Sequence, residues 1–343
     1  MNFTSLLSLS ARIWHMANIK FPSKPTFSGH ETFALRQLWL RKAYDEIAQC
    51  ITLQPRNLFT DESKDDPIEV APRDVFVGAD AIKRFGVGKN MVSSIRHWAL
   101  ACDVIRESKS EDGYYIGEIG DFLFGENAVD EFLERDATIW LVHWLLAGRA
   151  KRSATWYVLF NYVDPQSFQP KDVATLIEEF AETANLKKSK TTIARDVEVC
   201  IKCYAPVTLK TATEDSAEPL LSDLGLMTST GNNVFQFNRG PQYSLPNEVF
   251  AYALLDFWEQ WESSNGASQA TLSFNSIAYE YGSPGRVFKL SEDAVAERLT
   301  IISETTRNYL TWTDTAGLRQ VSRLGKETIA SAKMAILRSA YER

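Results

Sequence analysis

The chain has 343 residues, 45% of them hydrophobic, and a formal net charge of −7, from 37 Lys and Arg against 44 Asp and Glu. That composition gives room for two or three globular domains and excludes both a disordered chain and one that coats nucleic acid by bulk positive charge. With 4 cysteines and no apolar run of bilayer length, the expected setting is the reducing cytoplasm, with no membrane partner.

Residues 1–25 show weak periodicity and close on Pro22 and Pro25, which predicts a loosely ordered tail; its apolar patch lacks the basic start of a signal peptide. A first domain is expected over 26–127. It opens on FSGHETFALRQLWLRKAYD, Phe27 to Asp45, where Phe33, Leu35, Leu38, Trp39 and Leu40 predict an amphipathic helix with His30, Glu31 and Arg36 at its start. Asp61 to Asp66 has no apolar anchor and reads as a surface loop.

From Asp80 to Gly117 the pattern is that of a winged helix-turn-helix. Ala79, Ile82 and Phe85 mark a short helix, Gly86-Val87-Gly88 the turn, and Val92, Ile95, Ala99 and Cys102 the inner face of a longer helix beginning at Lys89. Asn90, Ser93, Ser94 and His97 are then expected to face outward, flanked by Lys89 and Arg96. No acidic residue occurs from Lys83 to His97, so Lys83, Lys89, Asn90, Ser93, Arg96 and His97 form a candidate surface for double-stranded DNA. Val104–Glu107 and Tyr114–Gly117 read as the wing. The same pattern also suits a protein contact.

Residues 128–169 read as a helical connector whose Trp140, Trp144 and Trp156 build core, and whose basic joint of Arg149, Lys151 and Arg152 is either a phosphate contact or a structural corner. A second helix-turn-helix-like domain is expected over 170–265. Its turn and second helix carry Lys187, Lys188, Lys190 and Arg195, again without an acid, and Leu226–Phe237 supplies strands around Gly231-Asn232-Asn233. Thr211 to Glu218 reads as a linker, Asn247 to Trp261 as an apolar spine helix, and Cys200 and Cys203 as core residues. The last domain, 266–343, has a GSPG turn at 282–285, a helix capped by Ser291, and a hairpin around Asp314–Gly317. The expected fold is mainly α with small β-hairpin wings, a set of tandem winged helix-turn-helix units joined by a helical zone.

Known catalytic signatures are mostly missing. Gly86-Val87-Gly88-Lys89-Asn90 lacks the first glycine of a P-loop and has Asn90 where a magnesium-binding hydroxyl belongs. Tyr115-Ile116-Gly117 has no partner half of a GIY-YIG nuclease, His30-Glu31 lacks a zincin's second histidine, and no set of metal ligands is legible.

FSGHETFALRQLWLRKAYD, VFVGADAIKRFGVGKNMVSSIRHWALACDVI and YGSPGRVFKL together resemble the family of domains of unknown function numbered four thousand and seven. The resemblance covers nearly the whole chain. It implies a protein encoded beside DNA phosphorothioate-modification genes, with a strand-nicking member in the family. It also implies a cysteine desulfurase, a PAPS-reductase-like protein and an ATPase as partners. It transfers no catalytic residue directly; the positions within its most recognisable motifs are His30, Glu31, Arg36, Lys89, Asn90, Arg96, His97 and Arg286. Two readings follow, a DNA nickase and a non-catalytic DNA-binding adaptor. For the first, His30, Glu31 and Arg36 are the candidate acid–base cluster and a divalent metal such as magnesium the candidate cofactor; against it, a Gly-His-Glu at a helix start also serves as a cap.

Overall fold

The computed structural model describes residues 21–342, apart from 23, 53–69, 110, 165, 206–218, 267, 316 and 326. The expected surface loop at Asp61–Asp66 and linker at Thr211–Glu218 lie outside the described residues, as does most of the expected tail. The structure is mainly helical, with three small antiparallel sheets.

One pattern recurs three times: a helix, a short strand, a group of helices (two in the first two passes, four short ones in the third), and a hairpin. It runs first as α1 (Trp39–Thr52), β1 (Ala71–Pro72), α2 (Gly78–Phe85), α3 (Lys89–Ala101), β2 (Ile105–Glu107) and β3 (Gly113–Ile116). After α4 (Glu118–Phe124) and α5 (Asp136–Ala147) it returns as α6 (Ala154–Tyr162), β4 (Ser167–Phe168), α7 (Pro170–Thr183), α8 (Lys190–Tyr204), β5 (Met227–Gly231) and β6 (Val234–Phe237). The third pass is α9 (Asn247–Asn265), β7 (Thr271–Ser273), α10 (Phe274–Tyr279), α11 (Pro284–Val287), α12 (Glu292–Thr300), α13 (Ile302–Thr305), β8 (Leu310–Thr315) and β9 (Leu318–Arg323), followed by α14 (Ile329–Ser339). In every sheet the hairpin's second strand lies in the middle, between the hairpin's first strand and the short early strand.

The sequence-level start of the first helix is corrected. Helix begins at Trp39, and the residues before it form an irregular loop in which Ser28, Gly29, Glu31 and Thr32 all have positive φ, conformations incompatible with helix propagation. Leu38 and Ile82, expected in apolar faces, are exposed. The core is deepest at α5, buried at Ala137–Ala147 throughout, and at the α9 spine, where Val249–Leu255 are all buried. A helix apolar on all sides belongs inside, between layers.

Those two helices are joined by buried charge. Asp256, on α9, accepts from Arg149 Nη2 at 2.8 Å, Lys333 Nζ at 2.9 Å, Trp144 Nε1 at 2.9 Å and Gln260 Nε2 at 3.0 Å. The cations of Arg149 and Lys333 hold its carboxyl below the usual range despite the opposing effect of burial. Breaking such a cluster from one side strands buried cations. Asp256→Ala is expected to cost about 3–5 kcal/mol of stability, read as a shift in the chemical-denaturation midpoint; a loss under 1 kcal/mol would show the cluster to be dispensable.

Candidate nucleic-acid interface and the histidine cluster

The α2–α3 corner is set by glycine. Gly86 closes α2 in the left-handed region, its N–H bonded to Ile82 O at 3.0 Å, and Gly88 precedes α3. Lys83, Lys89 and Asn90 are exposed there, while Ser93 and Arg96 are half-buried. Lys83 has Asp80 at 3.9 Å, with both side chains in water.

His97 is where the expectation of an outward face fails. It is buried, as are Ser94 and Trp98, because α3 packs on two sides. Val92, Ile95 and Ala99 serve the first unit's own core, and the next face meets the loop carrying His30. A single amphipathic stripe read from sequence assumes one buried face; this helix has two.

His30 is buried beneath that contact. Its Nε2 donates to Asp196 Oδ1 at 2.5 Å, with 3% and 2% of the two side chains exposed. Its Nδ1 lies 3.3 Å from the Thr32 N–H, which makes Nδ1 the acceptor and fixes the tautomer. Asp196 also accepts from Ser28 N at 2.8 Å and from the Thr155 hydroxyl, and Ser94 donates to His30 O. The His30 ring stacks on Trp98 at 5.9 Å and meets His97 and Trp156 edge-on at 5.7 and 6.1 Å. Gly29 is required: its φ is +113°, and a Cβ there would stand 2.6 Å from His97 Nδ1.

His30, Glu31 and Arg36 are therefore not one open cluster. Glu31 is exposed on the turn, and Arg36 is half-buried with its guanidinium over Trp39 at 5.2 Å. An Asp–His pair can orient an imidazole and stabilise its charged form, but at 3% exposure it has no path to a phosphate in this conformation.

Each cation of the basic joint has an acidic partner. Arg149 is committed to Asp256, Lys151 Nζ to Asp103 at 2.9 Å, and Arg152 Nη2 to Glu107 at 2.5 Å. Arg286 is likewise engaged, donating to Asp164 at 2.9 Å, to Tyr279 O at 2.7 Å and to Asn161 O while lying 4.7 Å from the Tyr281 ring. On the second unit Lys187 and Arg195 are exposed, and Lys190 pairs with Glu178 at 3.0 Å. The four cysteines are free thiols, with Cys102, Cys200 and Cys203 buried and burial raising each of the three thiols. No group of three or more potential metal ligands occurs among the described residues. No helix of the described residues is long and apolar enough to cross a membrane.

Sequence reasoning missed the acids that these residues answer to: Asp196, Asp103 and Asp256. Asp196 had a visible signal, since it falls beside Ile193, Val197 and Cys200 on the apolar side of α8. A lone acid on a buried face needs a buried partner.

A profile of the family described as "Protein of unknown function (DUF4007)" matches residues 27–341. The chain belongs to this family. The DUF4007 chain is also similar to two crystal structures of SspB. One is magnesium ion-bound, with a TM-score of 0.74, 26% identity, and coverage of 93% of this chain and 88% of that one. The other has a TM-score of 0.75 and 26% identity, covering 96% of this chain and 90% of that one. No curated protein sequence matches.

Two buried histidines of the DUF4007 chain contribute to its response to acid. Burial lowers His97 to about 3, helped by the neighbouring His30, and burial lowers His143 to about 3 as well. His143 accepts from Tyr204 Oη at Nδ1 (2.8 Å) and donates from Nε2 to Val287 O (2.9 Å), contacts that suit the neutral ring. Below the ordinary histidine pKa of about 6.5 the unfolded chain binds protons that the folded chain refuses, so stability falls as pH falls from about 6.5 toward 3. At pH 5 each histidine is expected to cost about 2 kcal/mol relative to pH 7. Urea titrations at the two pH values test this, and His97→Gln should flatten the slope; equal stability at both would place the histidines in contact with water.

Proposed function

We propose that this chain is the DNA-binding component of a DNA phosphorothioate modification system, working with a cysteine desulfurase, a PAPS-reductase-like protein and an ATPase, and opening one strand for sulfur insertion. The observation that carries the DNA-binding reading is the thrice-repeated helix, strand, helices and hairpin with one constant strand order, which we read as three tandem winged helix-turn-helix units. In two of them the second helix of the pair begins beside basic side chains: Lys83, Lys89 and Arg96, with the polar Asn90 and Ser93, on the first, and Lys187, Lys190 and Arg195 on the second. The family resemblance and the similarity to SspB support the modification system.

Lys89→Ala and Arg96→Ala are expected to weaken duplex binding uniformly across sequences and to lower the salt dependence by about one unit of slope per lost phosphate contact. Fluorescence anisotropy at several salt concentrations measures both. Unchanged affinity and slope in both variants would move the interface elsewhere.

For strand opening, Glu31 on the exposed turn would act at the phosphate or on a divalent cation, Arg36 would approach the phosphate, and His30 would hold the turn in place through Asp196. A specific observation favours the second reading, a non-catalytic adaptor: the imidazole of His30 is committed inside the core. Relaxation of supercoiled plasmid with magnesium or manganese, and then with EDTA, separates the two. If the chain nicks, Glu31→Gln should reduce nicking about a hundredfold with an unchanged melting temperature, whereas His30→Ala should lose activity together with stability. Metal-dependent nicking that survives Glu31→Gln would discard this site, and no nicking under any condition would leave the adaptor.

A further inference from the structure

The two helices that begin beside basic side chains, α3 and α8, are tied together by one stretch of loop, and its contacts advance along both. Near the middle of each helix the tie is His30: its carbonyl accepts from Ser94 Oγ of α3, and its Nε2 donates to Asp196 Oδ1 of α8 at 2.5 Å. One helical turn further along α3, Trp98 Nε1 donates to Phe33 O at 3.3 Å. Leu35 then reaches the far end of α8, where its backbone hydrogen-bonds the Cys203 thiol. Cys102, which closes α3, is near enough to Cys203 for a charge there to raise its own thiol.

A loop that meets two helices in the order of their own sequences fixes their relative direction. α3 and α8 run the same way along it, with their C-terminal ends together, so their starts lie at one common end. That end is the basic one. Lys83, Lys89 and Asn90 are exposed at the α2–α3 corner and Lys187, Lys188 and Lys190 at the α7–α8 corner, with Arg195 exposed further along α8; of these Lys190 pairs with Glu178. The ties themselves are dry: His30, Ser94 and Asp196 are all buried, and Thr155 of α6 donates to the same carboxylate. Polar links without water to replace them hold two units at one setting.

The third unit contrasts with the other two. Its α12 begins Glu292-Asp293, and Glu292 accepts from Arg319 of the β8–β9 hairpin at 3.3 Å and from Tyr279 Oη at 2.6 Å. The cation nearest that helix start is thereby spent on a carboxylate, and the acids left there repel a phosphate backbone.

We propose that the starts of α3 and α8 form one composite face that holds a single DNA duplex across both units, with the third unit outside the contact. The inference rests on reading the chain as a DNA binder, and adds which units share the duplex. Because both helices are fixed to one loop, the second contact is intramolecular once the first has formed. Their phosphate contacts then add on one duplex instead of being divided between two.

The test titrates a labelled duplex with the full chain by fluorescence anisotropy over a salt series, and counts duplexes per chain by native mass spectrometry. Lys89→Ala probes the first corner, Lys187→Ala and Arg195→Ala probe the second, and Arg307→Gln removes an exposed third-unit cation as the control. Each of the first three is expected to lower the salt dependence by about one unit of slope, Lys89→Ala with Lys187→Ala by about two, and Arg307→Gln to leave it unchanged. One duplex should bind per chain. A fall confined to one corner overturns the composite face and leaves DNA binding to a single unit; two duplexes per chain overturn it with both units still binding. An equal fall for Arg307→Gln also overturns it, because binding would then follow total charge. Absence of duplex binding by the wild-type chain refutes the DNA-binding reading and the composite face with it, so the two failures are told apart by whether the wild type binds at all.

Discussion

The contact on which the architecture turns is the buried bond from His30 to Asp196. It joins a loop ahead of the first unit to the second unit's α8, with Thr155 of α6 and Ser94 of α3 closing the same network. In a low-dielectric interior an aspartate is tolerable only if its charge is answered, and here three donors converge on one carboxylate. The price is local: His97 Nε2 and Trp156 Nε1 are buried there without a hydrogen-bond partner among the described residues. What results is a corner where the entering loop and elements of two units meet around one carboxylate.

A second corner is built on the same principle with opposite polarity of supply. The sequence from Arg149 to Arg152 sends one cation to Asp256, one to Asp103 and one to Glu107, so a run of positive residues becomes a clasp between the α5–α6 turn, the first unit's hairpin side and the spine. Exposed cations lie where α3 and α8 begin, while α12 of the third unit begins Glu292-Asp293. Three units sharing one topology thus present different electrostatic faces, because the surface residues of a unit diverge without disturbing its core.

Much of this was legible in the residues. Elements with strong periodicity and capping chemistry appear close to where they were expected, including the Gly86–Gly88 corner, the α7–α8 pair, the Ser291-capped helix and both the Asn232-Asn233 and Asp314–Gly317 hairpins. What was not legible depended on partners far away in sequence. His97 reads as polar and outward until α3 is seen to be covered on a second side, and the stretch from Phe33 to Leu38 reads as the start of a helix that the structure begins only at Trp39, after a loop wrapped around His30. Arg149 and Arg286 read as free cations because nothing local marks Asp256 or Asp164 as their destinations. Periodicity reports local geometry; ion pairing across a hundred residues has no local signature.

The span of the His30–Asp196 bond also bears on synthesis. The two residues are separated by 166 positions, which at ribosomal speeds of about 5–20 residues per second is on the order of ten to thirty seconds between the appearance of one and the other. During that interval the first unit emerges with its histidine, its positive-φ turn and the second face of α3 still facing solvent. The nascent chain therefore passes through a stage in which an aromatic, half-built surface waits for α8. A translation pause placed between the first and second units would lengthen the exposure of that surface to chaperones and proteases, and a truncation ahead of residue 196 would make it permanent.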